Sequence, residues 1–429
     1  MIRASTEKLR PAKSNSELPP AVLVGFDSMQ GLPAARVLAR HGVPIIGIAA
    51  NPNNSQTKTN VCREIRFTPT DEPSLIDHLV ELGQTLPSKP VLFPCADTNV
   101  SLISQHRSRL EPFFHILLPD PKTVEMLMDK VSFYSYAERN SLPVPKTFYI
   151  ESDEQLETAA RELTYPCIFK PRDSAAHLWE NKTIHKAFKA EDAASLKRLY
   201  QDYQSYSDCF IAQQWIEGKD SDLYSFNGYF DKNSKPLATF IARKIRQWPP
   251  ETGVSCLGEE VRNDEVLETA IRMFQSVDYH GLGYLEMKYD QPTNQLLIVE
   301  PNIGRPTGRG TIAEAGGVDI LFTAYCDALG LSLPENRTQT YNGVKWIHLR
   351  KDMQSSFVYW RRGELQLFDW FKSIRGKKAY AVASWRDPLP FIFDCWQAVS
   401  LITSSRRRKG RACSATYNGT PRRTSGSNG

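Results

Sequence analysis

The densest run of residues able to do chemistry is GYLEMKYDQPTNQLLIVEPNIGRPTGRG, residues 283–310. Two apolar stretches flank a polar turn centred near Thr293, the pattern of an antiparallel hairpin. That centre sets Glu286 across from Glu300, Met287 across from Val299 and Tyr289 across from Leu297. Asn302 shares the face of Glu300, because side chains alternate with period two. Opposed residues have Cβ atoms about 5 Å apart, and like charges there are destabilising. A hard divalent cation between them would relieve the conflict, and two carboxylates with an amide oxygen suit Mg²⁺. The competing reading is a solvated sheet face that carries two surface glutamates.

Two lysines come next: Lys130, in LMDKVSFYSYAERNSLPVPKTF, and Lys170, in CIFKPRDS. Either reads by default as a solvated surface lysine. Lys170, however, ends an apolar strand beside Pro171, where strand propensity does not ask for an ammonium. A point charge beside a polyphosphate contributes up to about 4 kcal/mol in partly buried surroundings. In CFIAQQWIEGKDSDLY an apolar strand runs into a hinge and a turn at Gly218. Such a hinge can offer backbone groups to an adenine edge, and Asp220 can accept from ribose hydroxyls. Taken alone, the segment reads first as an ordinary strand–turn–strand.

These residues need elements to position them. AVLVG, VPIIGIAA and PVLFP are apolar runs of strand type, separated by helical stretches at GLPAARVLARHG and at 73–86. Strands alternating with helices mean a parallel sheet, so residues 21–120 read as a Rossmann-like α/β domain. After Pro145 the pattern becomes α+β. CIFKP, CFIAQQWI, LYSFNGYF, LATFIARKI, GYLEMKY and QLLIVEP read as strands, with helical windows at 153–163, 190–204 and 263–278. Residues 121–335 form this second domain, with a lid at about 145–212. A C-terminal extension, 336–403, adds the strand VKWIHL and two helical stretches. Residues 1–20 read as a polar, disordered arm and 404–429 as a basic, disordered tail.

Composition narrows the class. The formal charge is +5, but residues 405–429 hold seven Lys or Arg and no acid, which leaves −2 for the rest. A nucleic-acid partner for the folded body is therefore not implied. No apolar run of 18 residues or secretory h-region is present, so the expectation is a cytoplasmic protein. Eight cysteines at irregular spacing form no CxxC and read as reduced thiols rather than a zinc or disulfide framework.

Taken in chain order, the pieces resemble the ATP-grasp superfamily over about residues 21–330. The likeness lies in the succession of Asp129–Lys130, Lys170, the QQWIEG hinge and the E…ExN set of Glu286, Glu300 and Asn302. The resemblance implies an N-terminal Rossmann-like domain, a lid and a C-terminal antiparallel-sheet domain, with ATP between two sheets. It assigns Lys130 and Lys170 to the ATP phosphates. Gln213, Gln214 and Ile216 fall to adenine, mainly through backbone, and Asp220 to ribose. Glu286, Glu300 and Asn302 fall to Mg²⁺ or Mn²⁺. Arg305 matches a position that faces phosphate or carboxylate, and Arg243, Lys244 and Arg246 match a basic strand near the transferred phosphoryl. Alternation sets Arg243 opposite the other two and leaves open which of the three points inward. One departure is the lid loop, PRDSAAHLWENK, which lacks the usual glycines, so either Ser174 and the Ala-Ala pair take the glycines' place at the phosphates or the loop closes on them more loosely.

Within that superfamily the chain is similar to uncharacterised carboxylate–amine ligases, through FPCADTN, PNIGRPTGRGTIAEAGGVD and VKWIHLRKD…WRRGEL…SWRDPLPF. The resemblance implies an ADP-forming enzyme that activates a carboxylate as an acyl phosphate and passes it to an amine. The Asp97 region and the Gly304–Gly310 loop would line the substrate pocket. His115, His177, His185 and His280 then have no catalytic duty. The rivals are a carboxylase-type reaction with bicarbonate, a non-catalytic ATP-binding module and a nucleotide-dependent oxidoreductase. The last lacks a GxGxxG fingerprint and an acid after its second strand. Finally, PFIFDCWQAVSLI, residues 390–402, is apolar and precedes RRRKGR. It reads either as a docking helix or as a peripheral membrane contact through residues 390–409, with Phe391, Phe393, Trp396 and Leu401 entering the interface. Nothing in the sequence speaks to the oligomeric state, the carboxylate or the acceptor.

Overall fold

The computed structural model describes residues 18–172, 187–250 and 253–398. The lid loop with Ser174, His177 and His185, most of the N-terminal arm, and the basic tail lie outside the described residues.

Five strands, β1 (Ala21–Val24), β2 (Ile45–Ala49), β3 (Glu64–Phe67), β4 (Val91–Pro94) and β5 (His115–Ile116), form a parallel sheet in the order β3-β2-β1-β4-β5. β1, β2 and β4 are wholly buried, which is why they read as unbroken apolar runs. The sequence pattern missed β3 and β5. β3, EIRF, is an edge strand with two exposed ends, and β5 has only two residues.

The lid sheet contains β6 (Thr147–Ile150), β7 (Cys167–Pro171), β8 (Phe188–Ala190) and β9 (Phe210–Gln214), in the order β6-β9-β7-β8. Helices Asp153–Glu162 and Ala193–Tyr203 pack Leu156, Ala159 and Leu196 onto Phe169 and Phe210, giving the lid a core of its own.

The third sheet has seven strands: β10 (Leu223–Phe230), β11 (Pro236–Trp248), β12 (Val254–Glu260), β13 (Gly281–Asp290), β14 (Gln295–Ile303), β15 (Lys345–Ile347) and β16 (Lys378–Tyr380). Their order is β14-β13-β10-β11-β12-β15-β16, antiparallel except for the last pair. The C-terminal extension thus continues the central sheet. One apolar cluster runs from Val22 and Ile46 through Phe133 to Phe226, Leu285 and Ile298, so the parallel sheet and the central sheet share a core. Helix Asp264–Gln275 closes that core with Val266, Ala270, Met273 and Phe274, and Asn263 caps it at Val266 N.

The mixed α/β and antiparallel architecture is the one expected. Two helices of the extension, Leu349–Arg361 and Leu367–Ser373, follow β15, and residues 389–398 are also helical. The seven described cysteines are free thiols. Among the described residues no helix is long and apolar enough to cross a membrane.

Candidate active site

The floor of the site is the β13–β14 ladder. Glu286 faces Glu300 and Tyr284 faces Asn302, as the hairpin reading required. Nearer the turn that reading fails by one residue: Met287 faces Ile298 and Tyr289 faces Leu296, because a bulge follows Glu286. The extra residue is Val299, and its carbonyl accepts a hydrogen bond from the buried Tyr134 hydroxyl at 2.5 Å. A bulge re-aims side chains beside it, and here it separates the apolar end of the hairpin from its acidic end. Beyond Asn302, Gly304 takes φ +67°. A Cβ there would lie 2.3 Å from Leu118 Cδ2, so a glycine lets the chain turn and bring Arg305 back over the floor.

The opposed carboxylates are in electrostatic conflict. Glu300 opens to solvent in the cleft, yet its carboxyl is held above the usual range. Protein walls that limit hydration are the first cause and Glu286 the second, while Lys170 and Lys130 oppose them. Glu286 is met by Arg309, whose side chain is 10% exposed. Arg309 Nη1 is buried without a protein partner. Asn302 Oδ1 accepts from Arg305 Nη2 at 2.7 Å, and Arg305 also grips Asp97 through two bonds of 2.6 and 2.9 Å. Two carboxylates and an amide oxygen on one face fit a hard divalent cation, which keeps further positions for water and phosphate.

The lysine wall stands over this floor. Asp129 caps helix Lys130–Arg139 by accepting from Ser132 N at 2.9 Å, which starts the helix at Lys130. Arg172, at the end of the lid strand β7, binds Asp129 through two bonds of 3.0 and 3.1 Å. Burial alone would raise the Asp129 carboxyl, but Arg172 and Ser132 bring it below its usual range. Lys170 Nζ lies 3.4 Å from Gln213 Oε1 and 5.9 Å from the Tyr134 ring centre. Its ammonium is pushed down to about 8, first by lost hydration and then by Lys130, with Glu300 opposing. Lys130, Lys170 and Glu300 therefore act on one another across one cleft.

The hinge follows β9, a central strand of the lid sheet. Gln213 and Gln214 sit in β9, between β6 and β7, and Gln214 N is committed to Lys146 O. Gln213 instead contributes its side chain, which accepts from Lys170 and donates to Thr147 Oγ1 at 2.8 Å. Past the strand, the Ile216 carbonyl accepts from Lys288 Nζ at 2.7 Å. Asp220 accepts from Gln247 Nε2 at 2.6 Å and from the Tyr359 hydroxyl at 2.7 Å.

The three basic residues of β11 part ways. Arg243 pairs with Glu259 on β12. Arg246 is buried against Asp352 of helix Leu349–Arg361, at 2.8 Å. Lys244 alone of the three enters the cleft: it is 5% exposed and donates to Gln247 Oε1 at 2.9 Å. Burial lowers its ammonium first, Glu286 opposes that, and Arg309 adds to it. Of the three, among which strand alternation left the choice open, Lys244 is the one whose charge acts with Glu286 and Arg309. A register shift between Lys244 and Arg246 breaks the simple alternation. His115, in β5, and His280, packed on Tyr229, stand apart from these groups.

Sequence reasoning missed Arg309, Tyr134, Arg172, Gln247 and Lys288. Arg309 alone had a visible signal: a second arginine in GRPTGRG, four residues after Arg305.

No family model matches the chain. It is 27% identical over 252 residues to D-aspartate ligase of Enterococcus faecium (strain Aus0004), covering 54% of this chain and 58% of that one. It is 24% identical over 221 residues to D-alanine–D-alanine ligase of Acinetobacter baumannii, covering 47% of this chain and 66% of that one. The chain thus spans less than two thirds of either relative. Its fold is similar to the biotin carboxylase domain of Hydrogenobacter thermophilus 2-oxoglutarate carboxylase, solved with MgADP and bicarbonate. The TM-score is 0.59 at 14% identity, over 75% of this chain and 72% of that one. These likenesses, to two ligases in sequence and to a biotin carboxylase domain in fold, support the resemblance to the ATP-grasp superfamily.

Proposed function

We propose that the protein is an ADP-forming carboxylate–amine ligase that uses ATP and a divalent cation, Mg²⁺ or Mn²⁺. One observation carries the reading: Glu286 and Glu300 oppose each other on the sheet floor while Lys130 and Lys170 act on the same carboxylate from above. The curated relatives, a D-aspartate ligase and a D-alanine–D-alanine ligase, support the amine acceptor.

In this reading Glu286, Glu300 and Asn302 hold the cation, which neutralises phosphate charge when bound. Lys130 and Lys170 bind the phosphates; Ser174, which the resemblance also assigns to them, lies outside the described residues. Backbone beyond Gln214 meets adenine, and Asp220, held by Gln247 and Tyr359, accepts from ribose. A substrate carboxylate oxygen attacks the γ-phosphorus, the bond to the β-phosphate oxygen breaks, and ADP leaves. The amine nitrogen then attacks the acyl carbon, phosphate departs with the bonding pair of the broken C–O bond, and the nitrogen gives up one proton to water to leave the amide. Lys244, Arg305 and Arg309 stabilise the charge that develops, and positioning supplies the rest.

The test is ADP release by the purified protein against a panel of amino acids and amines. ADP and phosphate should appear together only when carboxylate and amine are both present. Turnover driven by bicarbonate alone would favour the carboxylase reading, and binding of ATP without turnover the non-catalytic one. The partners proposed are these small molecules, without nucleic acid. Contact of residues 390–409 with a membrane stays in the proposal in reduced form. Phe391 and Phe393 are half-covered, Asp394 is tied to Arg350 at 3.0 Å, Trp396 is exposed, and Leu401 lies outside the described residues.

A further inference from the structure

Helix Leu349–Arg361 is inverted relative to an ordinary surface helix, which turns its apolar stripe to the core. Its buried residues are Asp352, Ser355 and Ser356. Asp352 accepts from Arg246 and from Trp370 Nε1, and Ser355 donates to the Gln247 carbonyl at 2.7 Å. The outward positions are Met353, Phe357 and Trp360, spaced i, i+4 and i+7 and exposed by 55, 56 and 51%. The next helix, Leu367–Ser373, adds Leu367, Phe368 and Phe371, exposed by 62, 77 and 58%. Between the two helices lies an open apolar hollow of about 190 Å³, lined by Met353, Phe357, Trp360 and Leu367 among others.

This concentration is not scatter. Eleven of the fifteen large apolar side chains exposed in the described structure fall within residues 349–398. Single exposed apolar residues are ordinary, whereas a clustered patch marks a contact surface.

Charge says what covers it. The same fifty residues expose six Lys or Arg against two acids, Glu364 and Asp369. The chain then continues through Arg406, Arg407, Arg408, Lys409 and Arg411 with no acid as far as residue 429. In an isologous dimer a two-fold axis would bring this basic surface against itself. A bilayer carrying anionic lipid takes both features at once. Aromatic and aliphatic side chains enter the interface while the bases meet the headgroups. We infer that the aromatic face built by residues 349–373 docks on an anionic membrane surface. It uses a different face from the one that holds β11 and Asp220, and it does not depend on the ligase reading.

The test is sedimentation of the full chain with phosphatidylserine–phosphatidylcholine vesicles and with phosphatidylcholine vesicles, at low and high salt. The wild type should pellet with the anionic vesicles at low salt, and its partition should fall at least about tenfold on neutral vesicles or in high salt. The double substitution Phe368→Ser, Phe371→Ser should lower partition onto anionic vesicles by a similar factor. Its thermal midpoint and ATP turnover should match the wild type, since both side chains are exposed and outside the cleft. The inference is overturned if the wild type stays in the supernatant with anionic vesicles, or if the variant pellets as the wild type does. It is also overturned if the wild type is a dimer that the double substitution makes monomeric, because a second copy then covers the face.

Discussion

Glu300 and Asp352 carry the same acidic chemistry in opposite settings. Asp352 is 0% exposed and fully engaged, with Arg246 Nε at 2.8 Å, Arg246 Nη2 at 3.2 Å and Trp370 Nε1 at 2.9 Å. Glu300 opens to solvent and faces another glutamate. Satisfied charge inside a protein ties elements together, here the C-terminal extension to β11. Charge left in conflict on an open floor costs stability and is useful only if a cation or a ligand resolves it. The contrast separates an acid satisfied by its neighbours from one left in conflict more sharply than residue type or position in the chain does.

The contrast breaks first at Glu300. Glu300→Gln keeps the volume and removes the charge. ATP turnover should fall by about a thousandfold or more, equivalent to about 4 kcal/mol, while circular dichroism and thermal midpoint hold or rise. Turnover at the wild-type rate would remove the floor from the mechanism. Asp352→Ala should do the reverse. It leaves Arg246 buried and unpaired and should cost about 3–5 kcal/mol in urea unfolding. The double substitution Arg246→Met, Asp352→Leu should recover most of that loss, and failure to do so would mean that the pair does more than hold the helix.

A third test lies one turn from Asp352. His348 is 6% exposed, and its imidazolium is pushed down to about 4, by burial first and by Lys351 next. The unfolded chain takes up that proton near pH 6.5, the native chain only near 4. Stability is therefore fully present above pH 6.5 and is lost as pH falls towards 4, by at most about 3 kcal/mol. His348→Gln should flatten the stability curve in this window. An unchanged slope would assign the acid sensitivity to other groups. Next in size is Lys170→Ala, which removes one charge from the cleft wall and should weaken ATP binding by about 2 kcal/mol in calorimetry. An unchanged dissociation constant would take Lys170 out of the site.

These pairs also show what was legible in the sequence. Glu286, Glu300 and Asn302 could be placed because a short turn and a period of two fix the register over a few residues. The bulge at Val299 could not, since a valine there matches either register. Lys170 was legible as an ammonium out of place on an apolar strand. Arg309 was not, because its partner depends on how the loop after Gly304 folds back. The Arg246–Asp352 pair joins residues 106 apart, and no local pattern carries that distance. The outward aromatic face of helix Leu349–Arg361 was invisible for a related reason. Its apolar residues fall at helical spacing, and spacing alone does not say which side is solvent.

The smallest expected effect belongs to Arg243, and it sharpens the division along β11. Arg243 and Lys244 are adjacent, and strand alternation points them to opposite faces. Arg243 bonds to Glu259, with side-chain exposures of 38 and 21%, and lies off the cleft. A half-exposed ion pair contributes between zero and about 1 kcal/mol, since water screens it and ordering two long side chains offsets the attraction. Arg243→Ala should therefore lower stability by less than about 1 kcal/mol. It should also leave ATP turnover within about twofold of the wild type, equivalent to under about 0.5 kcal/mol. Lys244 sits between Gln247 and the Glu286–Arg309 pair, so Lys244→Ala should lower turnover by at least about tenfold. Steady-state ADP release on the two variants side by side decides the matter. Equal losses would mean that both faces of β11 serve the reaction.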